Sequence, residues 1–390
     1  MLRYLLIFTL LWSTGSLPLG AQTIQWSTSD AAALLSLVEG IKEEGLDPAD
    51  YDPAHLRSAL ASGNVATLNS TATAIFMHLA SDLGEGHVRE RDRIGWHLQG
   101  PSIGGETKQA LLVAALSNHQ VKRTLLALLP RHREYARLKA ALAATPPRDR
   151  AAVQRLRANL ERWRWMPRDL GRRFILVNVP AFELALVEDG REVARHKIIV
   201  GKPATPTPQF KTTVQAVQLN PSWYVPSSIV AESIGRLVRN SPRTARARGF
   251  VVSKSGIRQR PGPDNALGEM KLVMPNPFTV YLHDTPAKQL FAEEIRAFSH
   301  GCVRTQHALD FARTLLGDPR WDKAAIDRVV SSRTTTDIPL NQPLPIYIGY
   351  FTAASDADGE MSSFPDIYGR DGPVVAALVD REPPDPFKAP

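Results

Sequence analysis

Cysteine is nearly absent: 390 residues contain one, Cys302. A lone thiol excludes an intramolecular disulfide and any zinc site built on paired Cys ligands, so no metal and no cofactor is expected. Long apolar runs are missing too. The one candidate, at residues 4–12, is too short to span a bilayer. Preceded by Arg3 and followed by small residues near Gly20-Ala21, it reads as an export signal cleaved after about residue 21. No cysteine stands near that point to carry a lipid, so a periplasmic, unanchored protein is the expectation. Structural cysteines in an oxidising compartment come in pairs, and an unpaired one there marks a reactive thiol.

What is present is ordinary for a globular chain: 43% hydrophobic and 22% charged residues, with length enough for two domains at about 150 residues each. The formal charge of +8 gathers between Lys122 and Arg173. Such a surface could attract anionic lipid or polymer, but a solvated helical face accounts for it. Export excludes nucleic acid as a partner.

Cys302 lies in Ser299-His300-Gly301-Cys302-Val303-Arg304, three residues before an apolar run that continues through Leu309, Phe311 and Leu315. The layout predicts a tight turn at Gly301 feeding a helix, whose first N–H groups would favour the thiolate and hold an oxyanion. A second histidine, His283, ends an alternating strand pattern that begins at Phe278, nineteen residues before the cysteine. A nucleophilic thiol needs a base within hydrogen-bond reach, and His283 and His300 are both candidates.

At these residues the chain resembles the L,D-transpeptidases, the YkuD family, which cross-link bacterial peptidoglycan. A His at a strand end, a spacer, then Ser-His-Gly-Cys is their signature. His283 and Ser299 to Cys302 match it, and similarity extends over roughly residues 155 to 353. The stretches Asn220-Pro221-Ser222-Trp223-Tyr224-Val225-Pro226, Pro261-Gly262-Pro263-Asp264-Asn265-Ala266-Leu267-Gly268, Tyr281-Leu282-His283-Asp284-Thr285-Pro286 and Asn159-Leu160-Glu161-Arg162-Trp163-Arg164-Trp165 resemble the large periplasmic branch. The resemblance implies an acyl-enzyme on Cys302, with His283 as proton carrier oriented by Asp284, through its backbone carbonyl or its side chain. It also implies His300 as auxiliary and the backbone N–H groups of Gly301 and Cys302 as oxyanion donors. Arg304, Tyr281, Trp223, Ser299 and Asn276 are candidate substrate-binding residues. Ser299 reads as a turn residue rather than a nucleophile, Arg304 alternatively as a structural ion pair, and the two aromatics alternatively as core.

The implied partners are peptidoglycan stem peptides, cell-wall synthesis proteins and carbapenem-type β-lactams. The implied reaction releases D-Ala from a tetrapeptide stem and joins two third-position residues. An L,D-carboxypeptidase, a protein-to-wall transferase and a non-catalytic wall scaffold are the alternatives. Ser-x-x-Lys and Thr-x-Thr-Cys are both absent, which leaves serine penicillin-binding and sortase-like chemistry unsupported.

The expected fold class is α+β: an all-helical scaffold domain at 22–150, a connecting helix at 151–171, and a β-rich catalytic domain at 172–353. A lid at about 225–260 and an extension at 354–390 complete it. Helical spacing of Leu34, Leu37, Val38 and Ile41, with Ser29 or Asp30 as a start, opens the helical part. Further helices are expected at 66–83, 106–116, 121–129 and 132–144. His78, His87 and His97 in this region read as ordinary residues. The peptidoglycan-binding module that follows the scaffold in many relatives has no counterpart here, because 144–148 passes almost directly to Asn159. Strands are expected at 182–187, 193–200, 213–219, 250–253, 270–274, 278–283 and 345–350, the first two joined by a hairpin at Asp189-Gly190. Within the lid a helical run is expected at 227–239. Segments 364–369 and 374–378 are candidates to pack back onto the domain.

Overall fold

Apolar residues at helical spacing make the first part of the chain a set of packed helices. The computed structural model describes residues 25–356 and 359–379; the export signal expected at 1–21 and the end of the extension lie outside that range. Helices α1 (Thr28–Gly40), α2 (Pro53–Ser62), α3 (Val65–Glu85), α4 (Gly105–Ser117), α5 (Val121–Leu126) and α6 (Arg133–Ala144) bury Leu34, Leu56, Phe76, Leu112, Leu125 and Leu138 together. Local chemistry sets their ends. The Ser27 hydroxyl, not Ser29 or Asp30, caps α1 by accepting from Asp30 N at 3.1 Å. Asp52 caps α2 ahead of Pro53, and Gly63 ends it in the left-handed region.

Helix α7 (Arg150–Arg164) joins this unit to the next, and its last two turns are buried although polar. Arg164 pairs with Glu161 at 2.7 Å and donates to Glu44 O and the Tyr135 hydroxyl of the helical unit. On another side Asn159 exchanges hydrogen bonds with Thr352, and Arg162 pairs with Asp371 at 2.6 Å. One helix thus docks onto both domains through groups that must be satisfied where they sit.

Period-two patterning takes over at β1 (Arg173–Asn178), β2 (Glu183–Glu188), β3 (Arg191–Gly201) and β4 (Lys211–Leu219). Later come β5 (Trp223–Tyr224), β6 (Phe250–Ser253), β7 (Gly256–Gln259), β8 (Met270–Val273), β9 (Leu282–His283), β10 (Ala297–Ser299), β11 (Val303–Thr305) and β12 (Thr336–Gly349). Nine of these form a sheet in the order β10-β3-β11-β9-β8-β4-β12-β1-β2, and a β2–β3 pairing closes it on itself. Helix α11 (Ala308–Leu316) packs its apolar stripe of Phe311, Ala312 and Leu315 onto the core side.

Between β5 and β6 the chain leaves the sheet. It runs through α8 (Ser227–Ile229), a π-helical turn at Val230–Ile234, α9 (Gly235–Asn240) and α10 (Pro242–Ala247), matching the helical run expected in the lid. These helices and the small sheet β5-β7-β6 have their own core of Trp223, Ala245, Phe250 and Leu267, with Tyr281 packed against it.

The strand expected over 278–283 is shorter, since only Leu282 and His283 enter the ladder. Asn276 takes over the preceding backbone. Its amide donates to Met274 O and Val280 O at 2.7 Å each, and its oxygen accepts from Phe278 N and Val280 N. At the chain's end α12 (Asp371–Ala377) lies on α7 and buries Val374 and Leu378, as the sequence suggested.

The α7 network yields a test. In Glu161→Ala, Arg164 would stay fully buried without its carboxylate, and the Val88 and Trp165 N–H groups that Glu161 accepts would lose their partner. A loss of about 3–5 kcal/mol is expected, read as a lowered urea midpoint at unchanged slope. A change under about 1 kcal/mol would show that the pair carries little of the docking.

Candidate active site

Two very short strands build the site. β9 and β11 pair in parallel, with Val303 opposite Leu282 and Arg304 opposite His283, while β8 pairs antiparallel on the other side with Lys271 opposite His283. Directly opposed residues project to the same face. Lys271, His283 and Arg304 therefore form a row across three strands, and Cys302 sits at the entrance to the third.

The turn before Cys302 is held from inside. Ser299 is buried; its hydroxyl donates to Cys302 O at 2.5 Å and accepts from Gly301 N at 3.0 Å. Ser299 is thus occupied by the turn and does not face a substrate. The Gly301 N–H, expected to serve an oxyanion, is taken up by the same hydroxyl. Gly301 has φ +112, a conformation that residues with a Cβ rarely adopt, and its carbonyl accepts from Thr207 Oγ1 at 2.9 Å.

The helix expected straight after the turn is displaced. Val303, Arg304 and Thr305 extend into β11, and α11 starts only at Ala308. A β-branched residue on either side of Arg304, both buried in the sheet, decides this locally. The thiol consequently has side chains around it in place of a helix N-terminus. Tyr281 approaches with its backbone N–H and its hydroxyl, Arg304 and Lys271 with positive charge, and Thr279 O lies 3.9 Å from Sγ. Burial pushes the Cys302 thiol up, and the Tyr281 hydrogen bonds and the two cations only partly offset it.

His283 is 4% exposed. Its Nδ1 lies 2.5 Å from Asp284 O, and a carbonyl can only accept, so Nδ1 carries the proton and Nε2 the lone pair. Burial first, then the Arg304 charge, pushes His283 down to about 3, which keeps the ring neutral over the ordinary pH range. The choice left open for Asp284 has a geometric answer. Its carbonyl holds the ring, whereas its carboxylate pairs with Lys288 and accepts from Glu269 N at 3.1 Å.

The other candidates divide. Tyr281 stands edge-on to His283 with ring centroids 5.6 Å apart and bridges the site to the small core that contains Trp223. His300 projects outward, its Nε2 2.7 Å from Glu232 of the π-helical turn, and Lys202 meets the same carboxylate. Arg304 is half-buried with no carboxylate within 4 Å among the described residues, so the structural ion pair is not formed. Asn276 is saturated by backbone and positions the loop carrying Thr279.

Lys271 and Glu232 escaped the sequence reading. Lys271 lies 5.1 Å above the Tyr281 ring, and burial lowers its ammonium pKa. A lysine between two buried residues of a strand is the only local signal, and it needs the strand register to acquire meaning. Far from Cys302, a cavity of about 350 Å³ lies between the domains, lined by residues such as His132, Trp163 and Arg195.

Gly301→Ala tests the turn. The nearest atoms to a Cβ there, Pro206 O and Thr205 O, are 3.8 and 3.9 Å away, so space is adequate and only the backbone conformation resists. Stability should fall by about 1–3 kcal/mol. Acylation of Cys302 should slow by about 10²-fold from a displacement on the order of 1 Å. Calorimetry and the rate of mass gain with a thiol acylating agent measure the two.

Residues 172–336 match the L,D-transpeptidase catalytic domain model, YkuD, and residues 21–142 match the Scaffold domain model. A Haemophilus influenzae protein named "Putative L,D-transpeptidase" is 28% identical over 291 residues, covering 69% of this chain and 59% of the relative. The chain thus spans less than two thirds of that relative's length. An L,D-transpeptidase from Mycobacterium smegmatis aligns over 45% of this chain and 58% of its own, at 16% identity and a TM-score of 0.27. A structure of an LD transpeptidase in complex with imipenem aligns over 45% and 58%, at 13% identity and a TM-score of 0.23. The chain thus carries an L,D-transpeptidase catalytic domain of the YkuD type, β-rich and at residues 172–336, preceded by a helical Scaffold domain at residues 21–142.

Proposed function

We propose that this enzyme acts in the periplasm on peptidoglycan tetrapeptide stems and joins two third-position residues through a thioester on Cys302. The observation that carries the reading is the parallel register of β9 and β11. It seats a neutral, Nδ1-protonated His283 beside the segment that presents the thiol.

In this reading Cys302 Sγ attacks the carbonyl of the third stem residue while its proton passes to Nε2 of His283. The Cys302 N–H, with Arg304 and Lys271 nearby, meets the negative charge that develops on the carbonyl oxygen. Collapse of the adduct breaks the bond to D-Ala, whose nitrogen takes the proton back from His283. An amine on the third residue of a second stem then attacks the thioester, and the proton it loses follows the same route. Two displacements replace one difficult transfer. Arg304 and Lys271 also suit a donor carboxylate, Arg304 through a two-pronged contact. Glu232 of the lid, on His300, would hold the cleft closed over the acyl-enzyme.

Incubating the mature protein and Cys302→Ala with disaccharide-tetrapeptide tests the reading by mass spectrometry. Cysteine-dependent dimers joined through third-position residues are expected. Cysteine-dependent tripeptide alone would make the enzyme a carboxypeptidase, and no cysteine-dependent product would leave a binding role.

The rest state makes a second prediction. With His283 depressed to about 3, acylation by imipenem should show no acid limb near the ordinary histidine value of about 6.5, remaining flat from roughly pH 5 to 8. His283→Gln should slow it by about 10²–10⁴-fold. A limb centred near pH 6 to 7 on intact-mass time courses would contradict a neutral buried base.

A further inference from the structure

A second set of groups with ligand chemistry lies in the scaffold domain, away from the cysteine. His78 and Asp82 are one turn apart on α3, hence on one face. The chain then turns at Gly86, where a Cβ would meet Glu161 Oε1 and the Trp165 ring at 2.6 Å, and brings His87 back to the same point. One ligand atom from each of the three lies within 4.8 Å of the others. His87 Nδ1 is 2.8 Å and His78 Nε2 3.3 Å from Asp82 Oδ2.

Hydrogen bonding within the protein leaves this cluster incomplete. The Tyr51 hydroxyl donates to the same Oδ2 at 2.8 Å, so three groups crowd one oxygen. Oδ1 of Asp82, equally buried, has no partner among the described residues. A fully buried carboxylate with one bare oxygen calls for a ligand that can use it. The two imidazoles keep 21% and 15% of their side chains exposed, which gives a route from solvent.

We propose that His78, Asp82 and His87 form a structural site for a zinc-class divalent cation. Two imidazole nitrogens and a carboxylate suit zinc, whereas calcium and magnesium prefer all-oxygen sets. Zinc ligands at about 2 Å from the metal stand roughly 3.3 Å apart, which the cluster reaches by small side-chain rotations. Tyr51 on Asp82 is the outer partner that such sites use to orient a ligand. The absence of paired cysteines says nothing against a His–Asp–His set.

The cation would clamp the loop after α3. That loop is already seated on α7 by Val88 N to Glu161 Oε1 at 2.8 Å, and Arg93 ties Val88 O back to Glu85 O. Metal binding therefore fastens the helical domain to the helix that joins the two domains.

Calorimetric titration of chelator-treated full chain with ZnCl₂, with thermal denaturation alongside, tests the site. Saturation at about one zinc per chain and a raised Tm are expected. Both should be lost in His78→Gln/His87→Gln, whose amides can still donate to Asp82 and keep the far-ultraviolet spectrum unchanged. No binding by the parent at micromolar zinc, or equal binding by the double variant, would overturn the proposal. A Co²⁺ titration of the parent gives a reading that needs no variant. A tetrahedral visible band erased by Zn²⁺ supports the site, and no band, or one with thiolate character, removes it.

Discussion

The parallel pairing of β9 with β11 is the constraint on which the site depends. Parallel strands cannot be joined by a tight turn, so the chain must leave β9, cross over and return. Here the crossover includes a short 3₁₀ turn at Lys288–Ala292 and strand β10. Because both paired strands are only two or three residues long, there is no room for a slipped register. A one-residue shift would turn His283 or Arg304 to the core face. The flanking devices enforce that single register: Asn276 before β9, the Asp284 carboxylate after it, Ser299 and Gly301 before β11.

Burial then decides the chemistry of the pair. A helix start would have supplied a partial positive charge to a solvated thiol. The structure instead surrounds Cys302 with Arg304, Lys271 and Tyr281 in a drier setting, and desolvation outweighs their attraction. The same desolvation, reinforced by Arg304, keeps His283 neutral. Thiol and imidazole thus rest uncharged, and in the proposed reaction charge would separate only as the sulfur attacks. The two cations are then worth most where negative charge develops, which is the condition for selective stabilisation of a transition state.

Much of this was legible in the sequence because it is local. His283, Cys302, the turn at Gly301, the helices between β5 and β6 and the scaffold helices each announce themselves within a few residues by spacing or by a special residue type. What remained hidden depends on register. Lys271 is one more lysine in a strand until β8 is laid against β9. Ser299 reads as a possible contact until its hydroxyl is seen to close the turn and take the Gly301 N–H. The displaced helix start is an intermediate case, since Val303 and Thr305 favour extended backbone while the apolar run behind them favours a helix. Pairing with Leu282 and His283 resolves the conflict.

The joint between domains follows a similar logic with polar groups. Replacing a buried pair such as Arg164–Glu161 with apolar residues need not cost stability, but apolar surfaces can slide whereas this network fits one arrangement. Glu161 alone meets Arg164, Trp165 and the Val88 backbone. Asn159 on the same helix fastens Thr352, three residues past the end of β12, and β12 pairs with β4, which in turn pairs with β8 where Lys271 lies. Through hydrogen-bonded strands the scaffold is thus linked to Lys271, at one edge of the row that includes His283 and Arg304.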